Sequence, residues 1–196
     1  MVFYPEEGVS DMQKRQMVTQ EGENVTVCAV KGNFDDCQSG VKKIFTDHTV
    51  LDALEKGGMA FSSANSINWG RLVPQIVYYV SSYVSLAESG EIAYGDPLNV
   101  VVPTGNFGNI LAAYYAKMMG VPLGKLICAS NINKVLTDFI RTGVYNRNRQ
   151  FYATTSPSMD ILISSNLERL LYLLTGEDDA QIREWFGALA ETGTYE

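Results

Sequence analysis

The chain has 196 residues and a formal net charge of −7, enough length to bury a core as a whole domain or as part of a larger one. The acidic balance argues against a nucleic-acid partner, which would need a basic face, and a lone histidine, His48, argues against a His-based metal site or triad. No apolar run is long enough to span a membrane, and no signal peptide is evident.

Val2–Tyr4 reads as the end of a strand, Pro5–Gly8 as a turn and Val9–Val18 as a short polar helix. Asn24–Val30 is apolar enough for a buried strand. Gly32, Asn33 and Phe34 then turn the chain into a helix over Asp35–Phe45, where Asp35 and Asp36 suit the positive helix N-terminus. Val50–Lys56 predicts a short helix and Met59–Ser63 a further strand. Asn65–Arg71 is polar and leads into a long helix over Asn68–Ala87, interrupted by Pro74, with Ile76, Tyr79, Val80 and Tyr83 on its apolar face.

Asn99–Pro103 is a β-branched, buried strand, and Thr104–Asn109 is a polar, glycine-punctuated turn. Ile110, Leu111, Tyr114, Tyr115 and Met118 recur at helical spacing until Gly120 and Pro122 stop the helix. A strand over Lys125–Ala129 follows, then a helix from Asn133 or Lys134 to Gly143 and an aperiodic polar stretch over Val144–Ser158. Two amphipathic helices, Met159–Thr175 and Asp178–Glu191, complete the chain. Strands alternating with helices predict one α/β domain, with a mostly parallel sheet covered on both faces and ligands beyond the carboxyl ends of the strands. The strands at Asn24–Val30, Asn99–Pro103 and Lys125–Ala129 are expected as neighbours in that sheet. Cys28, Cys37 and Cys128 are odd in number and lack metal spacing, which fits reduced thiols in a cytoplasmic protein.

The turn at Thr104–Asn109 carries the chemistry. A strand–turn–helix of this kind aims several backbone N–H groups at one spot at the positive end of a helix dipole, where phosphate is held. It lacks the Lys-Ser/Thr ending of a nucleotide P-loop and the third glycine of the dinucleotide fingerprint, so ATP and NAD are poor candidates. From spacing alone, a phosphate cup and a plain βα turn both remain open. Asn65, Ser66 and Arg71 combine short-armed donors with a bidentate guanidinium, a set suited to a tetrahedral anion, though a helix cap beside a solvated arginine uses the same residues. Asn131 and Asn133 are either caps or ligand contacts.

VPTGNFGN at Val102–Asn109 resembles the pyridoxal-phosphate loop of threonine synthases of the bacterial and fungal type. Four more stretches resemble the same family in the same order: Gln20–Lys43, Ala64–Tyr79, Ser130–Phe139 and Ser156–Leu171. The likeness covers nearly the whole chain, but only the middle and later part of that enzyme. It implies a three-layer αβα fold with a mostly parallel sheet, the fold type II of pyridoxal-phosphate enzymes, similar to the tryptophan synthase β chain and partial here. Residues 1–196 would form one such domain, truncated on both sides.

The implied activity is conversion of O-phospho-L-homoserine and water to L-threonine and phosphate with pyridoxal 5'-phosphate. The backbone N–H groups of Gly105, Asn106, Phe107, Gly108 and Asn109 would hold the cofactor's phosphate. Asn65, Ser66 and Arg71 would hold the substrate's, with Trp69 standing where some relatives carry proline. No metal is implied. No lysine here matches the family's Schiff-base motif, so the chain carries no catalytic residue of its own and is expected to be inactive alone. The other readings are a non-catalytic, threonine-synthase-like module for a phosphorylated small molecule and another fold type II lyase. The motif at Ser156–Leu171 has no chemistry assigned to it.

Overall fold

The computed structural model describes every residue except 7, 8, 33 and 63–65. It divides into two units, residues 1–62 and 63–196. In the first, β1 (Val2–Pro5) and β2 (Val27–Val30) pair in parallel, with α1 (Asp11–Val18), α2 (Phe34–Thr46) and α3 (His48–Lys56) around them. Ser10 and Gln13 form a capping box that starts α1, and the Asp47 carboxylate caps α3 by accepting from the N–H groups of Thr49 and Val50. Residues 59–62 are not a strand, contrary to the sequence expectation. Phe61 stacks instead on Phe45 of α2 at 4.6 Å, so the apolar character of this stretch is spent on a ring contact.

The second unit is built on a parallel pair, β3 (Leu98–Pro103) and β4 (Leu123–Ala129), joined by α6 (Gly108–Met118). On α6, Leu111, Ala112, Ala113 and Ala116 are completely buried, and the small alanines allow close approach to the strands. Val102 is buried, while Val101 and Ile127, opposite each other in the ladder, remain 61% and 44% exposed. The side chains therefore alternate between a covered face and an open one, so the expected cover on both faces is met on one only and the αβα arrangement of this unit is partial.

The expected long helix is α4 (Trp69–Leu72), a 3₁₀ turn over Val73–Gln75 containing Pro74, and α5 (Ile76–Glu88). Proline lacks the N–H that would continue the ladder, hence the break. Tyr79 and Tyr83 are buried as expected, but Val80 is 37% exposed. After β4 come α7 (Val135–Thr142), β5 (Tyr145–Asn146), α8 (Leu167–Leu174), α9 (Asp179–Thr192) and β6 (Thr194–Tyr195), with β5 and β6 antiparallel. Tyr145 and Tyr195 stack at 5.1 Å, with the Phe139, Trp185 and Phe186 rings around Tyr195.

Two further sequence expectations need correction. Among the described residues, β2 shares a ladder with β1 and not with β3 or β4, each ladder pairing strands of its own unit. The helix expected from Met159 begins only at Leu167, preceded by a 3₁₀ turn at Pro157–Met159. The intervening backbone and side chains are drawn into bonds with distant loops, which a helix would forbid.

Candidate functional site

The carboxyl end of β3 runs into the turn at Thr104–Phe107. Thr104 closes the strand, its N–H donating to the Ala129 carbonyl at 2.8 Å and its hydroxyl to the Val102 carbonyl at 2.7 Å. Phe107 then takes up a left-handed conformation (φ 67°, ψ 1°) with its ring buried, and Gly108 starts α6. A non-glycine residue held there stores ~1–2 kcal/mol of backbone strain. A left-handed residue followed by a helical one also gathers successive N–H groups into a concave nest that suits an anion.

Among the described residues, the N–H groups of Gly105, Asn106, Phe107 and Asn109 have no acceptor. That of Gly108 donates to the Asn106 side-chain oxygen at 3.1 Å. The first turn of α6 holds no acidic side chain, so nothing on the helix neutralises its positive end. A phosphate group suits such a turn, because four N–H groups there lack an acceptor among the described residues at the start of a helix.

The cup is braced from three sides. On the α5 side, the Tyr79 hydroxyl donates to Asn109 Oδ1 at 2.5 Å, and Asn109 Nδ2 donates to Gln75 Oε1 at 2.9 Å. Burial pushes the Tyr79 phenol up to about 12, so it remains a donor throughout the neutral range. From the chain before α8, the Ser164 hydroxyl donates to the Gly105 carbonyl at 2.6 Å. The Asn166 N–H and Nδ2 both reach the Asn106 carbonyl, at 3.0 and 3.1 Å. Behind Gly105 lies the 3₁₀ turn, where an added Cβ would meet the Ser158 carbonyl at 3.0 Å.

Ser66 completes the third side. It is buried, its hydroxyl accepts from Asn166 Nδ2 at 2.9 Å, and a Cβ on Gly108 would lie 2.2 Å from that hydroxyl. Arg169 ties this corner together, donating from Nη1 to the Ser66 carbonyl (2.9 Å) and Asn166 Oδ1 (2.6 Å) and from Nη2 to the Ile67 carbonyl. Ser66 therefore packs directly against Gly108 of the turn. Arg71 lies at the end of α4 with an exposed side chain, and Asn65 falls outside the described residues.

Asn131 and Asn133 take a structural role. Their Nδ2 groups donate to Asp160 Oδ1 at 2.6 and 3.1 Å, and Asp160 also accepts from the Thr154 N–H and hydroxyl. This carboxylate pins the loop after β4 to the polar stretch before the 3₁₀ turn. Gln75, Ser164, Asn166 and Arg169 were not singled out from the sequence. The motif at Ser156–Leu171 was the available signal, but its partners lie about 60 to 100 positions away in the chain.

Parallel strands joined by helices, with a glycine-punctuated turn at their carboxyl end, match the αβα architecture of the pyridoxal-phosphate enzymes of fold type II, to which the solved structures similar to this chain belong. No family-level sequence profile matches the chain. It is 53% identical over 191 residues to human threonine synthase-like 1, covering 96% of this chain and 26% of that protein. With the threonine synthase of Saccharomyces cerevisiae the identity is 40%, over all of this chain and 38% of the relative. A crystal structure of pyridoxal-phosphate-bound threonine synthase from Brucella melitensis superposes with a TM-score of 0.84 at 44% identity, over 98% of this chain and 39% of the other. The chain is a homologue of the threonine synthases and spans roughly a quarter to two-fifths of the length of the relatives it matches.

Proposed function

We propose that residues 1–196 form one α/β domain of a cytoplasmic, pyridoxal-phosphate-dependent threonine synthase, a carbon–oxygen lyase acting on a phosphate ester. Its substrates are O-phospho-L-homoserine and water, and its products L-threonine and phosphate. The observation that carries this reading is the set of N–H groups at Gly105, Asn106, Phe107 and Asn109 with no acceptor among the described residues. They suit a phosphate without any side-chain cation.

The cofactor, when bound, supplies the electron sink for removing a proton beside the substrate's amino group and expelling its phosphate. The chain's own residues bind and orient. The cup fixes the cofactor phosphate and so sets where its ring lies. Asn65, Ser66 and Arg71 hold the phosphate that leaves, and the binding energy of this remote group goes into aligning the reacting carbons. Ser66 abuts Gly108, which supports reading the two phosphate sites as neighbours. None of the lysines in these residues matches the family's covalent anchor, so catalysis requires a lysine from elsewhere in the protein.

The test is Arg71→Ala in the full-length enzyme. Loss of a bidentate contact to the substrate phosphate is expected to lower kcat/KM for phosphohomoserine by about tenfold or more, with cofactor absorbance retained. Equal loss of cofactor and turnover would overturn the assignment of Arg71 to the substrate.

A further inference from the structure

Resting on the reading of Thr104–Asn109 as a phosphate cup, we propose that Ser164 and Asn166 are positioning residues that aim the Asn106 and Phe107 N–H groups into that cup. The argument begins with peptide geometry. A trans peptide unit is planar and its C=O and N–H point in opposite directions. No cis peptide occurs among the described residues. Whatever holds a carbonyl therefore also sets the direction of the N–H one residue later.

Two consecutive peptide units of the cup are held in this way by one segment. The Gly105 carbonyl, whose peptide partner is the Asn106 N–H, accepts from the Ser164 hydroxyl at 2.6 Å. The Asn106 carbonyl, whose partner is the Phe107 N–H, accepts from both donors of Asn166. Both N–H groups must then face away from residues 164–166, toward the open side of the turn. There they have no acceptor among the described residues.

The bracing groups are themselves fixed. Ser164 is 3% exposed, and its N–H donates to the Tyr145 hydroxyl at 3.0 Å. Asn166 is completely buried. Its Oδ1 faces the Arg169 guanidinium, which leaves Nδ2 to turn toward the Asn106 carbonyl and the Ser66 hydroxyl. A carbonyl bonded behind the cup also cannot rotate into it and present negative charge to an incoming anion. This supplies a purpose for the late start of α8: residues 164–166 stay out of the helix, where Ser164 and Asn166 donate to the cup's carbonyls.

The experiment is ¹⁵N-resolved NMR of the 196-residue chain titrated with inorganic phosphate. In the wild type, the Asn106 and Phe107 amide signals are expected to move downfield together as phosphate binds. Ser164→Ala should raise the phosphate Kd by about tenfold, with the Asn106 response losing more than that of Phe107. Asn166→Ala should shift the balance the other way. Ser164→Thr, which keeps the hydroxyl, should restore the wild-type Kd.

Unchanged Kd and amide responses in Ser164→Ala would overturn the positioning role alone. Equal loss at both amides without rescue by Ser164→Thr would also overturn it, since that is the signature of general loosening. An absence of response at residues 105–109 in the wild type would overturn the phosphate reading itself, and the positioning role with it.

Discussion

Gly108 has no room for a side chain. A Cβ there would stand 2.2 Å from the Ser66 hydroxyl and 2.6 Å from the Ser66 Cβ, inside contact distance for any pair of atoms. The need for glycine comes from this close approach, because the residue is an ordinary member of α6. Gly108→Ala is expected to destabilise the fold by ~1–3 kcal/mol, the usual range for overpacking. Ser66→Gly in the same chain should recover much of that loss, because it removes the atoms that clash. Urea unfolding of the two single variants and the double variant measures the coupling, and strictly additive losses would show that the two residues do not meet. Phe107 illustrates a different constraint at the same scale: its backbone is strained while its ring is buried, and sequence inspection sees only an aromatic residue in a polar turn.

The elements around the site are joined by polar contacts that periodicity does not register. Helix α7 is tied to the polar stretch that follows it by Asp138, whose carboxylate accepts from Arg149 Nη1 at 2.8 Å. That hydrogen bond, reinforced by the positive charges of Lys134 and Arg149, lowers the Asp138 carboxyl below its ordinary 3.8. A carboxyl whose folded value is depressed stabilises the fold above its unfolded value. The contribution is lost as pH falls through the folded one. Asp138→Asn should therefore lose ~0.2–1 kcal/mol near neutral pH, the range for a partly exposed pair. The gap from wild type should close as pH falls below ordinary carboxylate values. Urea midpoints measured across the acid range check this, and a gap independent of pH would mean that charge is not the source.

Over the molecule as a whole, the second unit links its last residues to its candidate site. Tyr195 in β6 stacks on Tyr145 in β5, and the Tyr145 hydroxyl accepts from the Ser164 N–H and donates to the Leu162 carbonyl. Burial pushes the Tyr145 phenol up, so this donor persists well above neutral pH. Tyr145→Phe keeps the ring stack and removes the partner of one buried and one half-buried backbone group. The expected loss is ~1–3 kcal/mol in urea unfolding, with faster hydrogen exchange at amides near Ser164 and the cup. Exchange that accelerates only around β5 and β6 would show that the aromatic cluster does not brace the site. No helix among the described residues is long and apolar enough to cross a membrane.

Local chemistry made much of this protein legible in its sequence. β3, the glycine turn and α6 follow from an apolar, β-branched strand, glycines where a backbone must be approached closely, and apolar residues at helical spacing, although β3 is covered on one face only. α9 follows from Asp178, whose carboxylate caps it by accepting from the N–H groups of Ala180 and Gln181. The likeness of Val102–Asn109 to a cofactor loop was also present in residue order alone. The pairings of β2 with β1 and of β5 with β6 were decided by tertiary structure, since two-residue strands such as Tyr145–Asn146 carry no periodicity of their own. Tertiary structure also delayed α8. Leu167, Leu170 and Leu171 follow helical spacing, and the same pattern extends back toward Met159. The Asp160 carboxylate and the donors of Ser164 and Asn166 form bonds with groups about 30 to 60 residues away in sequence, and a helical backbone at 160–166 could not present them there. Propensity acts between near neighbours, whereas the orientation of the cup's peptide planes depends on residues that only folding brings together.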